Sequence, residues 1–196
     1  MMTVMEYYEK NAQAFAKATL PIDMSALYAP FLKHLPPKAR LLDAGCGAGR
    51  DAKAFAKMGF NVEAFDACQA LVDIAQQQSN FSVEHNTFLG FTRNDKFDGI
   101  WACASLLHVP AKELPATFKH LADLLTDTGI FYASFKYGEG EMQRDERHFT
   151  DCTEALLPTF LEDTGLRIVE TWLTADKRPE RKDELWLNAL LEKIHV

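Results

Sequence analysis

The chain is expected to fold as an α/β protein on a doubly wound, mostly parallel sheet, and three observations carry that expectation. Short strand-like apolar runs alternate with stretches of helical spacing. The run LLDAGCGAGR, residues 41–50, closes a strand end with an acidic residue and a glycine-rich turn before a helical pattern begins. The run from Phe60 to Phe65 alternates, ends at Asp66 and again leads into a helical pattern.

Taken in order, MEYYEKNAQAFAKAT (residues 5–19) and Asp23 to His34 read as two helices, the second with Asp23 as its N-cap and stopped by Pro36 and Pro37. Strands are expected near 39–43, 61–65, 81–85, 97–102, 129–135, 167–173 and 184–192, with helices after most of them. Arg50 to Met58 continues the glycine turn as a helix, with Ala54, Phe55 and Met58 on its apolar side. There is no internal repeat or low-complexity linker, so residues 1–196 read as one domain: an N-terminal helical part, 1–37, and an α/β core, 38–196.

Gly45, Gly47 and Gly49 allow backbone to approach a ligand closely, which makes the turn a nucleoside-binding candidate. A dinucleotide fingerprint requires glycine or alanine three residues after its second glycine, where this chain has Arg50. Asp43, two residues before the first glycine, would repel a diphosphate and attract the ammonium of a methionine moiety. Asp66, at the tip of the second strand, is placed to accept from both ribose hydroxyls, or to act as a helix N-cap.

Composition narrows the partners. With 196 residues, 47% of them hydrophobic, one sizeable core is affordable. A formal net charge of -7 gives no broad basic footprint and disfavours nucleic acid or an anionic membrane as partner. Cys46, Cys68, Cys103 and Cys152 show no paired metal-ligand spacing, and no leader or long apolar span is evident. These features fit a reduced cytoplasmic enzyme with a small-molecule partner, monomeric or homodimeric, holding no metal.

With LLDAGCGAGR, VEAFD and FDGIWACASLLHVP (residues 97–110) on the page, the chain resembles the class I S-adenosylmethionine-dependent methyltransferases, in their small-molecule branch of tellurite-resistance and quinone methyltransferases. The resemblance implies a Rossmann-like seven-stranded sheet whose last strand is antiparallel, S-adenosylmethionine as methyl donor, and N-terminal helices closing over it. It also implies cofactor contacts at Asp43, Gly45, Gly47, Gly49, Asp66 and Ala67, and at Ala102 and Cys103 after the fourth strand. Nucleic-acid N-methyltransferases carry Asn or Asp with proline and an aromatic residue there, whereas this chain reads Ala102, Cys103, Ala104, Ser105. Many relatives place an Asp near Thr87 to hold adenine, so adenine recognition is left to backbone groups at Thr87 and Phe88, with Phe88 packing on the ring or in the core.

Other positions carry two readings each. His108 is a general base for the acceptor or a structural histidine. Tyr8, Phe15 and Thr19 form a packing face, while the resemblance raises Tyr8 and Thr19 as contacts to the cofactor carboxylate. Lys136, Arg178 and Arg181 hold an anionic acceptor, or belong to a solvated surface shared with Asp176 and Asp183. Trp101, Trp172 and Trp186 read as core, and Cys46 and Cys103 as small pocket liners. The segments starting at Lys136 and spanning 174–184 are candidate lids, the first hinged at Gly138 and Gly140, the second stiffened by Pro179.

Overall fold

The computed structural model describes residues 3–78, 81–178 and 181–194. Two helices come first, α1 (Val4–Thr19) and α2 (Ser25–Leu32). The alternating core follows as β1 (Arg40–Ala44), α3 (Arg50–Lys57), β2 (Asn61–Asp66), α4 (Gln69–Gln77), β3 (Ser82–His85), β4 (Phe97–Ala102), α5 (Leu114–Ala122) and β5 (Leu125–Lys136). The chain then makes β6 (Glu141–Arg144), β7 (Arg147–Thr150), α6 (Leu157–Phe160), β8 (Leu166–Ala175) and β9 (Leu185–Lys193).

Seven strands form one sheet in the order β3-β2-β1-β4-β5-β9-β8. β1 pairs in parallel with both β2 and β4, and β4 with β5, while β9 runs antiparallel between β5 and β8. The strand order reverses between β1 and β4, so the crevice of a doubly wound sheet opens at their carboxyl ends. Gly45, Ala67 and Cys103 each follow directly on one of these strand ends, which is why the distant motifs meet.

Successive side chains of a strand point to opposite faces, and the core divides accordingly. On one face Leu42, Ile100, Phe131 and Phe135 pack against Phe118 and Leu121 of α5. On the other Leu41, Trp101 and Tyr132 pack against Tyr28 and Phe31 of α2 and Phe55 of α3. A third, smaller cluster joins Ala12 and Ala16 of α1 to Leu71 and Ile74 of α4. The helix α1 is started by a capping box in which Glu6 N–H donates to Thr3 Oγ1 and Thr3 N–H donates to a Glu6 carboxylate oxygen.

Three expectations need correction. Asp23 does not cap α2 in the expected place: the helix begins at Ser25 with Met24 as N-cap, and Asp23 accepts from Ser25 N–H at 2.9 Å in the turn before it. Asp66 is likewise two residues too early to be the N-cap of α4, which is Cys68, though it accepts from Cys68 N–H at 2.9 Å. The segment after β5 is not an open polar lid but the β6–β7 hairpin. Cys152 N–H donates to Lys136 O (2.9 Å), Asp151 N–H to Gly140 O (3.0 Å) and Thr150 Oγ1 to Val109 O (2.7 Å), so the glycines sit in a hydrogen-bonded base rather than a hinge. Pro179 lies outside the described residues.

One buried carboxylate joins three elements. Asp51, 5% exposed, accepts from Tyr28 Oη at 2.7 Å, from Trp101 Nε1 at 2.9 Å and from Arg50 Nε at 2.6 Å. Burial pushes its carboxyl upward, but Arg50 and the hydrogen bonds outweigh that and hold it below the ordinary carboxylate range. Asp51→Ala strands a buried guanidinium, hydroxyl and indole N–H, so urea unfolding is expected to show a loss of about 3–5 kcal/mol. A loss under about 1 kcal/mol would refute this role for the network.

Candidate functional site

Two recesses lie side by side at the carboxyl edge of the sheet. The larger is about 170 Å³ and the smaller about 110 Å³. They share Tyr8, Phe15, Gly45, Gly47, Ala104 and His108, so the glycine turn forms the sill between them and α1 the roof over both.

The smaller recess has nucleoside character. Phe65, Leu71 and Phe88 give it apolar walls, and Asp66 and Ala67 close its end. Asp66 Oδ2 accepts from Gly47 N–H at 2.8 Å and Oδ1 from Cys68 N–H. Burial raises the Asp66 carboxyl against the pull of those N–H groups. Each carboxylate oxygen has further lone-pair capacity for hydroxyl donors. Gly45 is left-handed at φ 75°, and a Cβ there would stand 2.6 Å from Ser105 Cβ. A Cβ on Gly47, φ 55°, would come within 3.2 Å of the Phe15 ring and fill the sill.

The larger recess is mixed in charge. Asp43 lies at its inner end, 3% exposed, with Oδ2 accepting from Ala52 N–H at 2.9 Å. Burial first, and then the neighbouring Asp51, push its carboxyl well above the ordinary range. A cation beside Asp43 would relieve that penalty, which fits an ammonium group there. At the outer end Lys136 is 4% exposed and pairs with Glu184, while Arg178 Nε donates to Asp176 at 2.9 Å and Trp186 Nε1 to the same carboxylate at 3.0 Å. Burial lowers Lys136 to about 8; Asp176 opposes this, and Arg144, Arg178 and Arg181 add to it.

At the junction His108 Nδ1–H donates to His148 O at 2.7 Å, which leaves Nε2 to accept from Tyr8 Oη at 2.9 Å. Burial holds His108 down at about 4, so the imidazole is neutral near pH 7. Burial pushes the Cys103 thiol up to about 12, and Cys46 also rises, which leaves both as neutral liners of the wall.

The structure therefore brings Tyr8, Thr19, Asp43, Gly45, Gly47, Cys103, His108, Lys136, Arg178 and Arg181 to the larger recess, and Asp66, Ala67 and Phe88 to the smaller. Gly49, Thr87 and Ala102 are not on either wall. Gly49 is the left-handed N-cap of α3, φ 81°, and Ala102 is wholly buried with Leu42 and Phe131. Thr87 is engaged in its own turn, accepting from Gly90 N–H. Lys136 and Arg178 face a recess rather than a solvated surface. Trp186, read as core, packs against the core as a partly buried residue and also stands on the recess wall. Sequence reasoning missed Asp51, Arg147, Phe149, Asp176 and Asn188, which also line the larger recess.

The crevice, its glycine sill and its two acidic strand ends define a nucleoside-binding class I α/β domain. A family model for the methyltransferase domain matches residues 17–171, and the chain belongs to that family. It is 31% identical over 105 residues to a ubiquinone biosynthesis O-methyltransferase of Xanthomonas campestris, a match covering 50% of this chain and 43% of that one. The chain thus spans less than half the length of that relative. Among solved structures, the Burkholderia thailandensis 1,6-didemethyltoxoflavin-N1-methyltransferase, with S-adenosylhomocysteine bound, matches at 21% identity and TM-score 0.77, covering 96% of this chain and 84% of that one. The [4+2]-cyclase SpnF matches at 16% identity and TM-score 0.78, covering 97% and 95%. Both share the fold. Among the described residues no helix is long and apolar enough to cross a membrane.

The His108 geometry yields a pH prediction. Its folded pKa of about 4 lies below the ordinary 6.5, so between these values the unfolded chain binds the extra proton. This contribution to stability is whole above pH 6.5 and is lost as pH falls through 4, by roughly 3 kcal/mol in all. Urea unfolding from pH 7 to 4 should show His108→Gln losing less stability than the parent; equal losses would overturn the assignment.

Proposed function

We propose that this chain is an S-adenosylmethionine-dependent methyltransferase acting on a small molecule. The observation that carries the reading is the pair of recesses meeting over Gly45 and Gly47, the smaller ended by Asp66 and the larger holding Asp43 and a charged outer end. S-adenosylmethionine supplies an electrophilic methyl group on a sulfonium. The residues present fit it: Asp66 accepts from ribose hydroxyls, Phe88 packs beside the base, and Asp43 balances the ammonium. Tyr8 and Thr19, on α1 over the larger recess, are placed for the methionine carboxylate.

The chain's own contribution is positional. Glycine backbone lets the donor lie close, while Leu107, Phe149 and Tyr8 exclude water from the junction. Alignment of this kind supplies on the order of 7–11 kcal/mol where reacting atoms are held in line. His108 acts through Tyr8: its Nε2 fixes the direction of the Tyr8 hydroxyl, and its depressed pKa makes it a weak base for direct proton removal.

The acceptor side favours a small molecule over a macromolecule, because Lys136, Arg178 and Arg181 line a recess instead of forming a basic outer surface. The acidic net charge of -7 and four free cysteines fit a cytoplasmic enzyme working as monomer or homodimer without a nucleic-acid partner.

Calorimetric titration with S-adenosylhomocysteine, with reduced nicotinamide as control, tests the reading. Binding of the first and not the second is expected, with Asp66→Ala weakening it about 10- to 100-fold, the loss of one or two charge-assisted hydrogen bonds. Failure of S-adenosylhomocysteine to bind would sink the methyltransferase reading, and binding without loss of methyl groups from S-adenosylmethionine over many turnovers would leave a sensing module.

A further inference from the structure

Arg147 is the feature of the larger recess that the methyl-donor reading leaves unused. It opens β7, is 9% exposed, and its Nε is buried without a hydrogen-bond partner. Its guanidinium carbon lies 4.4 Å from the centre of the Tyr7 ring and 5.2 Å from that of Phe149, so its plane is held between aromatic neighbours. Nη1 donates to Tyr8 Oη at 3.3 Å, and Nη2 meets Asp145 at 3.3 Å. The Asp145 side chain is 64% exposed, so that pair is long and well screened. Buried guanidinium groups are ordinarily matched on every donor, and here Nε is left over after the hydrogen bonds to Tyr8 and Asp145.

The arrangement is that of a fixed cationic fork with spare donors at a recess wall. A planar fork of this kind fits a carboxylate through two parallel N–H···O bonds. Arg147 lines the larger recess and not the nucleoside one, and it belongs to the hairpin inserted after β5. Phe149 lies beside it, and Leu107 lines the same recess. Neutral His108 adds no competing charge, and the Asp43 and Asp51 carboxylates belong to the α3 side of the recess.

We propose that Arg147 receives the carboxylate of a small methyl acceptor whose apolar body lies against Leu107 and Phe149. The proposal rests on the methyltransferase reading and narrows its acceptor to small carboxylic acids. Arg147 is also the link between acceptor and roof, because the same guanidinium touches Tyr7 and Tyr8 of α1.

The test uses the full chain saturated with S-adenosylhomocysteine and titrates benzoate and cyclohexanecarboxylate against their neutral amides, by calorimetry and tryptophan fluorescence. At least one acid is expected to bind about 10-fold or more tightly than its amide. At saturating S-adenosylhomocysteine, Arg147→Gln should bring that ratio near one, and Arg147→Lys should restore part of the preference. Equal or absent binding of acids and amides overturns the proposal, as does a preference that survives Arg147→Gln. A 10-fold loss of S-adenosylhomocysteine affinity in that variant would assign Arg147 to the cofactor instead. Inorganic phosphate binding as tightly as the acids would overturn the carboxylate assignment. If the parent chain binds no S-adenosylhomocysteine, the methyltransferase reading fails by itself, and the same titrations on the unloaded chain still decide whether Arg147 holds an acid.

Discussion

The buried carboxylate of Asp51 is the constraint on which the site depends. It gathers Tyr28 of α2, Arg50 of α3 and Trp101 of β4 around one charge, and so fixes the start of α3 against the sheet. The Asp43 carboxylate holds the same helix start through Ala52 N–H. Two acids under one glycine turn cannot both be comfortable in a dry interior. Arg50 makes Asp51 the charged member, and the cost is displaced onto Asp43, whose carboxyl is pushed well above its usual range. Asp43 thus reaches the larger recess with its carboxyl disfavoured as an anion. Under the proposed reading, the ammonium group of the ligand would favour the charged form of Asp43.

The roof is held by weaker means than the floor. Beneath β1 and β4 lie Trp101 stacked on Tyr132 at 3.7 Å and a ring of buried aromatics. By contrast α1 rests on a small cluster, Ala12 and Ala16 against Ala48, Cys68, Leu71 and Ile74, and on polar links from Tyr8 to His108 and Arg147. The cluster is extended by the partly buried Met5, Phe15 and Leu20, so α1 is held by a small apolar contact together with two polar links.

What the sequence made legible was local in the chain. Gly45, Gly47, Asp43 and Asp66 follow from strand, turn and helix within one βαβ unit, and the sheet follows from alternation of the same patterns. What stayed hidden depends on distant partners. Asp51 reads as a first-turn helix acid until Tyr28 and Trp101, 23 and 50 positions away, are seen around it. Arg147 sits in a charged run, RDERH, and only Tyr8, 139 positions away, marks it as buried. The β6–β7 hairpin escaped for another reason. Its turn residues Asp145 and Glu146 adopt φ 49° and 63°, a conformation usually announced by glycine or asparagine. Neither residue is there to signal it.

The electrostatics of the junction bear on what chemistry the site can do. His108 is held at about 4 and Cys103 at about 12, so these two neighbours bracket neutral pH and neither exchanges a proton readily there. Methyl transfer from a sulfonium asks for a nucleophile with an available lone pair, so ammonium groups, thiols and hydroxyls must lose a proton before or during the transfer, whereas a carboxylate or thiolate need not. A wall that supplies position, dryness and fixed charge is therefore matched to an acceptor that arrives already nucleophilic. A carboxylate is such a group, and under the proposed reading the fixed Arg147 guanidinium would balance its charge within the recess.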